Sequence, residues 1–282
     1  MNKDKKEYNL LQKNTPASLL PNALTILGVC LGLSSIKFAL DLNFEMAVIT
    51  VGIAAILDTL DGRVARLVNA TSKVGKELDS LTDVISFGVA PSFIMYFWSI
   101  NEVEKFGWLF VLFYTVCCAL RLARFNLTTI NENESWKINF FEGIPSPAAA
   151  GLVLLPLIFS LSNIVEVLNL NQLIQILNLS NIFEIGNTKI VSSVFILTIS
   201  ILMVSKIPTY SLKRISIPRR LGGFLLLGIG TYISFLIFFT FEILFLTGLG
   251  YIFLIPISYF HHKHLSKKTL SKNIEDEVED IL

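Results

Sequence analysis

Four aspartates lie in a short segment of the chain, between long apolar runs, at spacings that suit a metal site. They form two pairs, Asp58 with Asp61 and Asp79 with Asp83. Spacings of three and four residues place the members of each pair on one face of a helix. Two such helices can point four carboxylates at one another. Oxygen ligands without histidine or cysteine nearby favour a hard cation such as Mg²⁺, Mn²⁺ or Ca²⁺.

Carboxylates at membrane depth need compensation. Each costs about 2.5–3.5 kcal/mol on insertion scales, and four that face one another also repel unless protons or cations lie among them. The small residues Gly62, Ala65 and Gly75 share the helical faces of the aspartates and leave space between the segments. In the alternative interpretation, the carboxylates are helix-end charges in a solvated loop that pair with Arg63, Arg66, Lys73 and Lys76. Loop charges have no reason to keep helical phase with small residues, so we favour the metal site.

One spacing pattern contains both the aspartates and the small residues: D-x2-D-G-x2-A-R-x8-G-x3-D-x3-D. It is filled by Asp58, Asp61, Gly62, Ala65, Arg66, Gly75, Asp79 and Asp83. The segment resembles the signature of the CDP-alcohol phosphatidyltransferases at every fixed position. The opening of the first apolar run, Pro-Asn-x-Leu-Thr from Pro21 to Thr25, also resembles the start of the first membrane helix in that family.

The resemblance implies a reaction and a role for each position. An alcohol attacks the diacylglycerol-linked phosphorus of CDP-diacylglycerol and releases CMP. The four aspartates hold divalent metal, expected as two Mg²⁺ or Mn²⁺ ions with Ca²⁺ as an alternative, and Asp83 is the general base. Gly62, Ala65 and Gly75 let the nucleotide approach the backbone. Arg66 is a candidate contact to the CDP-lipid, and its alternative role is that of a solvated charge at a helix end.

Three further segments resemble the phosphatidylserine synthase branch of this family: ELDSLTDVISFGVAPS (77–92), RLARFN (121–126) and FEGIPSPAAAG (141–151). This resemblance implies L-serine as the acceptor alcohol. Arg121 and Arg124, three apart on one helical face, are candidates for binding the serine carboxylate, for which the arginine fork is suited. Ser86, Asn126 and Ser146 are further candidates for the acceptor pocket. Alternatively, the two arginines are only a positively charged membrane anchor.

The composition predicts an all-α, polytopic integral membrane protein. Of 282 residues, 53% are hydrophobic and 16% are charged, and the mean hydropathy is +0.64. Such values exceed those of soluble domains. A net charge of +1, without a basic patch among aromatic residues, gives no indication of a nucleic-acid partner. Three cysteines lie in apolar runs, which indicates buried thiols and neither a disulfide framework nor a zinc site.

Eight apolar runs predict about eight transmembrane helices, of which six would form the core that the resemblance implies. The runs are about 19–40, 44–67, 77–100, 106–125, 145–162, 189–205, 221–239 and 242–260. With both termini cytoplasmic, 20 of the 23 Lys and Arg residues lie in cytoplasmic segments. The positive-inside rule therefore supports this topology and places the aspartates near the cytoplasmic face of a cell membrane, with the inner, cytoplasmic membrane expected.

This topology divides the chain into four parts. Residues 1–18 are a cytoplasmic tail, 19–205 the catalytic transmembrane domain, 206–260 additional C-terminal helices and 261–282 a second cytoplasmic tail. Residues 163–188 allow no assignment. By resemblance alone, we expect a homodimer.

Two other functions compete with serine transfer. Phosphatidylglycerophosphate synthase is the alternative within the family, and it would need further cations for a second phosphate on the acceptor. A cation transporter is the alternative from another class, since intramembrane carboxylates can form an ion pathway. The aspartates cluster near one face, and no acidic residue lies midway along another apolar run, which disfavours transport. A purely structural membrane protein leaves the motif unexplained.

Overall fold

The computed structural model describes residues 19–68, 73–103, 105–127, 140–164, 188–211 and 222–279. Within these ranges the helices are α1 (Leu19–Leu40), α2 (Phe44–Leu67), α3 (Lys73–Asp83), α4 (Ala90–Trp98), α5 (Lys105–Leu127), α6 (Ser146–Val153), α7 (Leu155–Leu161), α8 (Thr188–Val204), α9 (Gly222–Phe238) and α10 (Thr240–Glu279). A π-helical segment, Val84–Val89, joins α3 to α4 without a break. A short 3₁₀ helix, Ile100–Val103, precedes α5.

The predicted all-α membrane architecture is confirmed. Among the described residues, four helical stretches are long and apolar enough to cross a membrane: Leu20–Leu40, Val74–Trp98, Lys105–Leu127 and Thr240–Lys263. The helices α8 and α9 are shorter but apolar, and α2 carries Asp58, Asp61 and Arg63 toward its end. The count of eight crossings stays a prediction, and so do the domain boundaries.

Two of the predicted segments differ in detail from the structure. The fifth apolar run is two helices, α6 and α7, which meet at Leu154. Pro156 explains the interruption, because proline has no N–H to donate to the carbonyl of Leu152 one turn earlier. The segment predicted as a C-terminal tail is helical as far as Glu279, as a continuation of α10. Most of 163–188, which the sequence left unassigned, lies outside the described residues, as does the predicted N-terminal tail.

Apolar side chains are divided between the bundle interior and its outer surface. The buried core contains residues of α2, α4, α5, α6 and α8, including the fully buried Tyr114, whose hydroxyl donates to the carbonyl of Phe87 at 3.0 Å. No residue of α9 is buried. Its exposed residues include Phe224 and Phe238. An apolar exposed surface of this kind is suited to lipid, which solvates it as water would not.

Close packing of α1 fixes its position against the π-helical segment. Gly28 and Gly32 lie one turn apart, and small residues at this spacing let helix backbones approach closely. The Ser86 hydroxyl donates to the carbonyl of Gly28 at 3.1 Å. A Cβ atom on Gly32 would lie 2.6 Å from Ser86 Oγ, so the contact requires glycine. The start of α1 lies against the end of α2 that carries the aspartates, where Thr25 contacts Asp61.

A small antiparallel sheet, which the sequence did not predict, connects the loop before α6 to the segment after α8. Its strands are β1 (Phe140–Glu142) and β2 (Pro208–Tyr210). Gly143 follows β1 with a φ of +73° and donates its N–H to Ile207 O at 2.9 Å. The Cβ of any side chain there would collide with the Met203 carbonyl oxygen. The turn after β1 therefore depends on glycine.

The last helix also packs on this sheet. Tyr210 of β2 hydrogen-bonds through its hydroxyl to Nδ1 of His261 in α10, at 2.8 Å. The rings of His261 and His262 both contact that of Phe140, with centroids 5.9 and 5.1 Å apart. The sheet thus connects α10 to the end of the bundle from which α6 begins.

Candidate active site

Three of the four aspartates converge as the helical spacing predicts. Asp58 and Asp61 of α2 and Asp79 of α3 each place a carboxylate oxygen within 4.8 Å of the others. Asp61 is buried, and the other two are half-buried. In the described part of the chain, no salt bridge pairs any of the three with a lysine or arginine. The alternative of helix-end charges paired with cations has no such ion pair among the described residues, and one of its proposed partners, the Lys73 side chain, lies outside them.

Asp83 extends this cluster one turn farther along the same helical segment. Its carboxylate is a direct neighbour of that of Asp58. Its Oδ2 accepts a hydrogen bond from the Ser146 hydroxyl at 3.1 Å. Its Oδ1 is buried and has no hydrogen-bond partner among the residues described. Two ionised carboxylates have no hydrogen to share, so a proton or a cation must lie between neighbours of this kind.

The donor set fits a hard divalent cation. The cluster offers only carboxylate oxygens, the ligands that Mg²⁺, Mn²⁺ and Ca²⁺ prefer. An adjacent buried oxygen, Asp83 Oδ1, has no hydrogen-bond partner in the described ranges. It is therefore available as a further metal ligand or as a proton acceptor. The residues present can therefore hold the metal that the motif implies.

Thr25 is a site residue that sequence reasoning did not single out. Its buried hydroxyl lies 2.7 Å from Asp61 Oδ2, to which it donates, and 3.0 Å from Pro21 O. A hydroxyl in this position orients a carboxylate that has a ligating role. The sequence pattern that contains this residue is the Pro-Asn-x-Leu-Thr opening of α1. The sequence around Thr25 does not show that its side chain contacts Asp61, which is 36 residues away.

Arg121 and Ser146 form a buried polar chain that ends at Asp83. Arg121 Nη1 donates to Ser146 Oγ at 2.8 Å, and that hydroxyl donates in turn to Asp83. Ser146 is fully buried, and Arg121 is only 8% exposed. The Arg121 guanidinium also lies 5.8 Å from the centroid of the Phe125 ring. Such burial does not fit the alternative role of a solvated membrane anchor.

Arg124 has different surroundings from Arg121. Its side chain is exposed, and its Nη1 donates to Val204 O, the last residue of α8, at 2.7 Å. This contact ties the end of α5 to the end of α8. The helical spacing predicted that both arginines would bind one carboxylate. In the structure Arg121 Nη1 donates to Ser146 Oγ and Arg124 Nη1 donates to Val204 O, and the shared binding of a carboxylate stays a prediction.

The remaining acceptor candidates make contacts of their own. Ser86 is fully buried where α1 packs on the π-helical segment, and its hydroxyl donates a hydrogen bond to Gly28 O. Asn126 donates from Nδ2 to the Ser80 hydroxyl at 2.8 Å, beside Asp79. Ser86 therefore has a packing contact, whereas Asn126 contacts the residue that follows Asp79 in the sequence.

The positions predicted to contact the CDP-lipid differ in exposure. Gly62 is exposed, and a Cβ there would meet nothing within 4 Å. Ala65 and Gly75 are half-buried. Arg66 is exposed and donates from Nε to Gly62 O at 3.0 Å. Space for a ligand is thus present beside Gly62, and the nucleotide contacts stay predictions.

Comparison with known proteins agrees with the geometry. Residues 18–183 match the family model described as CDP-alcohol phosphatidyltransferase. The chain belongs to this family. The match begins just before α1 and includes the four aspartates, Arg121 and Ser146, whereas β2, α9 and α10 lie beyond it.

Individual relatives carry one shared name, CDP-diacylglycerol–serine O-phosphatidyltransferase. The protein of Mycobacterium leprae is 45% identical over 146 residues, which are 50% of this chain and 48% of that protein. The protein of Helicobacter pylori is 40% identical over 200 residues, 71% of this chain and 75% of that protein. The protein of Bacillus subtilis is 37% identical over 146 residues, 52% of this chain and 78% of that protein. The chain thus spans about half the length of the mycobacterial relatives it matches.

Proposed function

We propose that this protein transfers the phosphatidyl group of CDP-diacylglycerol to the hydroxyl of L-serine, which gives phosphatidylserine and CMP. The observation that carries the proposal is the convergence of Asp58, Asp61 and Asp79 beside Asp83. One oxygen of Asp83 accepts a hydrogen bond from Ser146, which in turn accepts one from Arg121. Family membership supports the reaction class, and the name shared by the relatives supports serine as the acceptor.

Asp58, Asp61, Asp79 and Asp83 are the residues that would hold divalent metal, and we propose two Mg²⁺ or Mn²⁺ ions. When bound, such ions neutralise the negative charge of the pyrophosphate that is attacked. The Thr25 hydroxyl holds Asp61 in one orientation, and the Ser146 hydroxyl does the same for Asp83. Fixed ligands of this kind need no rearrangement when substrate arrives.

Asp83 is the proposed general base. Its Oδ2 is occupied by Ser146, whereas its Oδ1 is buried without a hydrogen-bond partner in the described chain. The serine hydroxyl transfers its proton to Oδ1 while its oxygen forms a bond to the lipid-linked phosphorus. The bond between that phosphorus and the bridging oxygen breaks, and CMP leaves with the electron pair. Proton transfer to a positioned carboxylate is general base catalysis.

Gly62, Ala65 and Gly75 are proposed to leave room for the nucleotide, with Arg66 as a phosphate contact. The open space beside Gly62 supports this arrangement. Asp58 and Asp61 lie near the end of α2, and the excess of Lys and Arg in the predicted cytoplasmic segments supports a position of that end near the cytoplasmic face. We propose that the protein resides in the inner, cytoplasmic membrane as a homodimer, where soluble serine and CMP reach the site.

The test is CMP release by the purified protein. CDP-diacylglycerol in mixed micelles is supplied with Mg²⁺ or Mn²⁺ and with L-serine, glycerol 3-phosphate or inositol in separate reactions. We expect release that requires both serine and metal and that stops with EDTA. Release with glycerol 3-phosphate in place of serine would overturn the acceptor and leave the reaction class intact. Folded protein that releases no CMP with any alcohol would overturn the proposal, and cation flux into liposomes would then be measured.

A further inference from the structure

Three buried polar atoms around Arg121 have no hydrogen-bond partner within the described part of the chain. They are Nε of Arg121, Oδ1 of Asp83 and the hydroxyl of Tyr251. Buried polar groups in proteins are almost always paired, because an unpaired one loses its hydration without compensation. Several unpaired groups near one another indicate a place that a polar ligand completes.

Tyr251 reaches this place from α10. The Tyr251 side chain interacts electrostatically with the Arg121 guanidinium, which in turn interacts with Asp83. Thr209 lies beside the tyrosine hydroxyl, but its own hydroxyl hydrogen is donated to Gly143 O at 2.7 Å. Thr209 therefore cannot donate to Tyr251, and no residue of the described chain makes a hydrogen bond of good geometry to the tyrosine hydroxyl, which leaves it available to a ligand.

The three atoms differ in whether they accept or donate a hydrogen bond. Asp83 Oδ1 can only accept a hydrogen bond when it is ionised, so it suits a hydroxyl. Arg121 Nε and the Tyr251 hydroxyl both offer hydrogens, so together they suit an anionic oxygen. Ser146 connects the two ends through its contacts with Arg121 and Asp83. A short molecule with a hydroxyl at one end and a carboxylate at the other offers the groups that these three atoms lack.

We infer that Tyr251 is a binding and specificity residue for the acceptor: with Arg121 it binds the carboxylate of the amino acid whose hydroxyl faces Asp83. This inference rests on the proposed function. It assigns to α10, which lies outside the family match at 18–183, a direct part in acceptor selection. It also pairs Arg121 with Tyr251, whereas the sequence paired it with Arg124.

The test compares Tyr251→Phe with a matched control in the same helix. Tyr259→Phe removes the hydroxyl of an exposed tyrosine that is 45% accessible. For Tyr251→Phe we expect kcat/KM for L-serine to fall about 10- to 100-fold, the effect of one lost hydrogen bond to a charged group. The fall in kcat/KM should come mainly from a higher KM for serine, while the KM for CDP-diacylglycerol stays unchanged. Tyr259→Phe should match the wild type.

A second measurement uses L-serinamide, which keeps the hydroxyl and the amine but has no carboxylate. Its inhibition constant or KM should be nearly the same in wild type and Tyr251→Phe, because the lost hydrogen bond is to the carboxylate. Equal serine KM values in the two proteins would overturn the inference and leave the proposed function standing. A general loss of activity, with the KM for both substrates changed and a lowered melting temperature, would also overturn it in favour of a packing role. Wild-type protein that does not use serine would instead refute the proposed function itself.

Discussion

Ser146 is the residue at which the structure makes its sharpest quantitative prediction. Its hydroxyl donates to Asp83 Oδ2 at 3.1 Å and accepts from Arg121 Nη1 at 2.8 Å. Ser146→Ala removes both contacts. Because the position is fully buried, water does not replace the lost hydrogen bonds to Arg121 and Asp83. A hydrogen bond to a charged group contributes about 1.5–3 kcal/mol. If the bond to Asp83 acts fully in the transition state, kcat falls about 10- to 150-fold.

The measurement separates two roles for this serine. As a positioning residue for Asp83, Ser146 affects kcat and leaves the KM for serine nearly unchanged. As a direct contact to the acceptor, which the sequence suggested, it would change mainly that KM. CMP release is therefore measured against serine concentration for wild type and Ser146→Ala, with CDP-diacylglycerol saturating.

The matched control is Ser200→Ala in α8. Ser200 is also fully buried, but its hydroxyl donates to Ile196 O within its own helix, at 2.6 Å, and has no other partner among the described residues. The control should lose little stability and no activity. An unchanged kcat in Ser146→Ala, with both proteins folded, would refute the positioning role.

Three further predictions follow from the same contacts. Asp83→Asn keeps an acceptor for Ser146 but cannot take up the proton, so we expect a folded protein whose kcat falls about 10²- to 10⁴-fold in the CMP assay. Thr25→Val removes the hydroxyl that orients Asp61, and the Mg²⁺ concentration for half-maximal activity should rise about 10- to 100-fold. Gly32→Ala places a methyl group 2.6 Å from Ser86 Oγ, and overpacking should destabilise the protein by about 1–3 kcal/mol, seen as a lower Tm in detergent.

Each of these has a control and a result that contradicts it. Turnover retained by Asp83→Asn would remove Asp83 from the role of base. Thr59→Val serves as the control for Thr25, because Thr59 is exposed and bonds only Ala55 O in its own helix; equal metal requirements in the two variants would refute the link to Asp61. Gly52→Ala is the control for Gly32, since a Cβ at Gly52 meets nothing within 4 Å. Equal melting temperatures of the Gly32→Ala and Gly52→Ala variants would contradict the close packing of α1.

Local periodicity made much of the fold predictable from the sequence. Eight apolar runs correspond to helical segments of the structure, since an apolar helix is the form in which a chain satisfies its backbone in lipid. The pairing of Asp58 with Asp61 was equally local, because helical geometry alone places residues three apart on one face. The family resemblance then supplied the chemistry of the cluster, which periodicity by itself does not contain.

Contacts between distant segments were decided only by the tertiary structure. Ser146 meets Asp83 across 63 residues, and Thr25 meets Asp61 across 36. Helical phase shows which face a residue occupies but not which other helix packs against that face. For this reason the contact of Arg124 with a carbonyl of α8 could not be predicted from its helical phase with Arg121.

The sequence by itself determined that this protein is a membrane-embedded helical bundle with four carboxylates in helical register, because apolar runs and i, i+3 or i, i+4 spacings act within one helix. Only the tertiary structure decided how the cluster is completed. The approach of α6 places the Ser146 hydroxyl at one oxygen of Asp83, and the path of α10 past the small sheet places Tyr251 near Arg121. Those contacts depend on packing between segments far apart in the chain, and packing of that kind has no local signature.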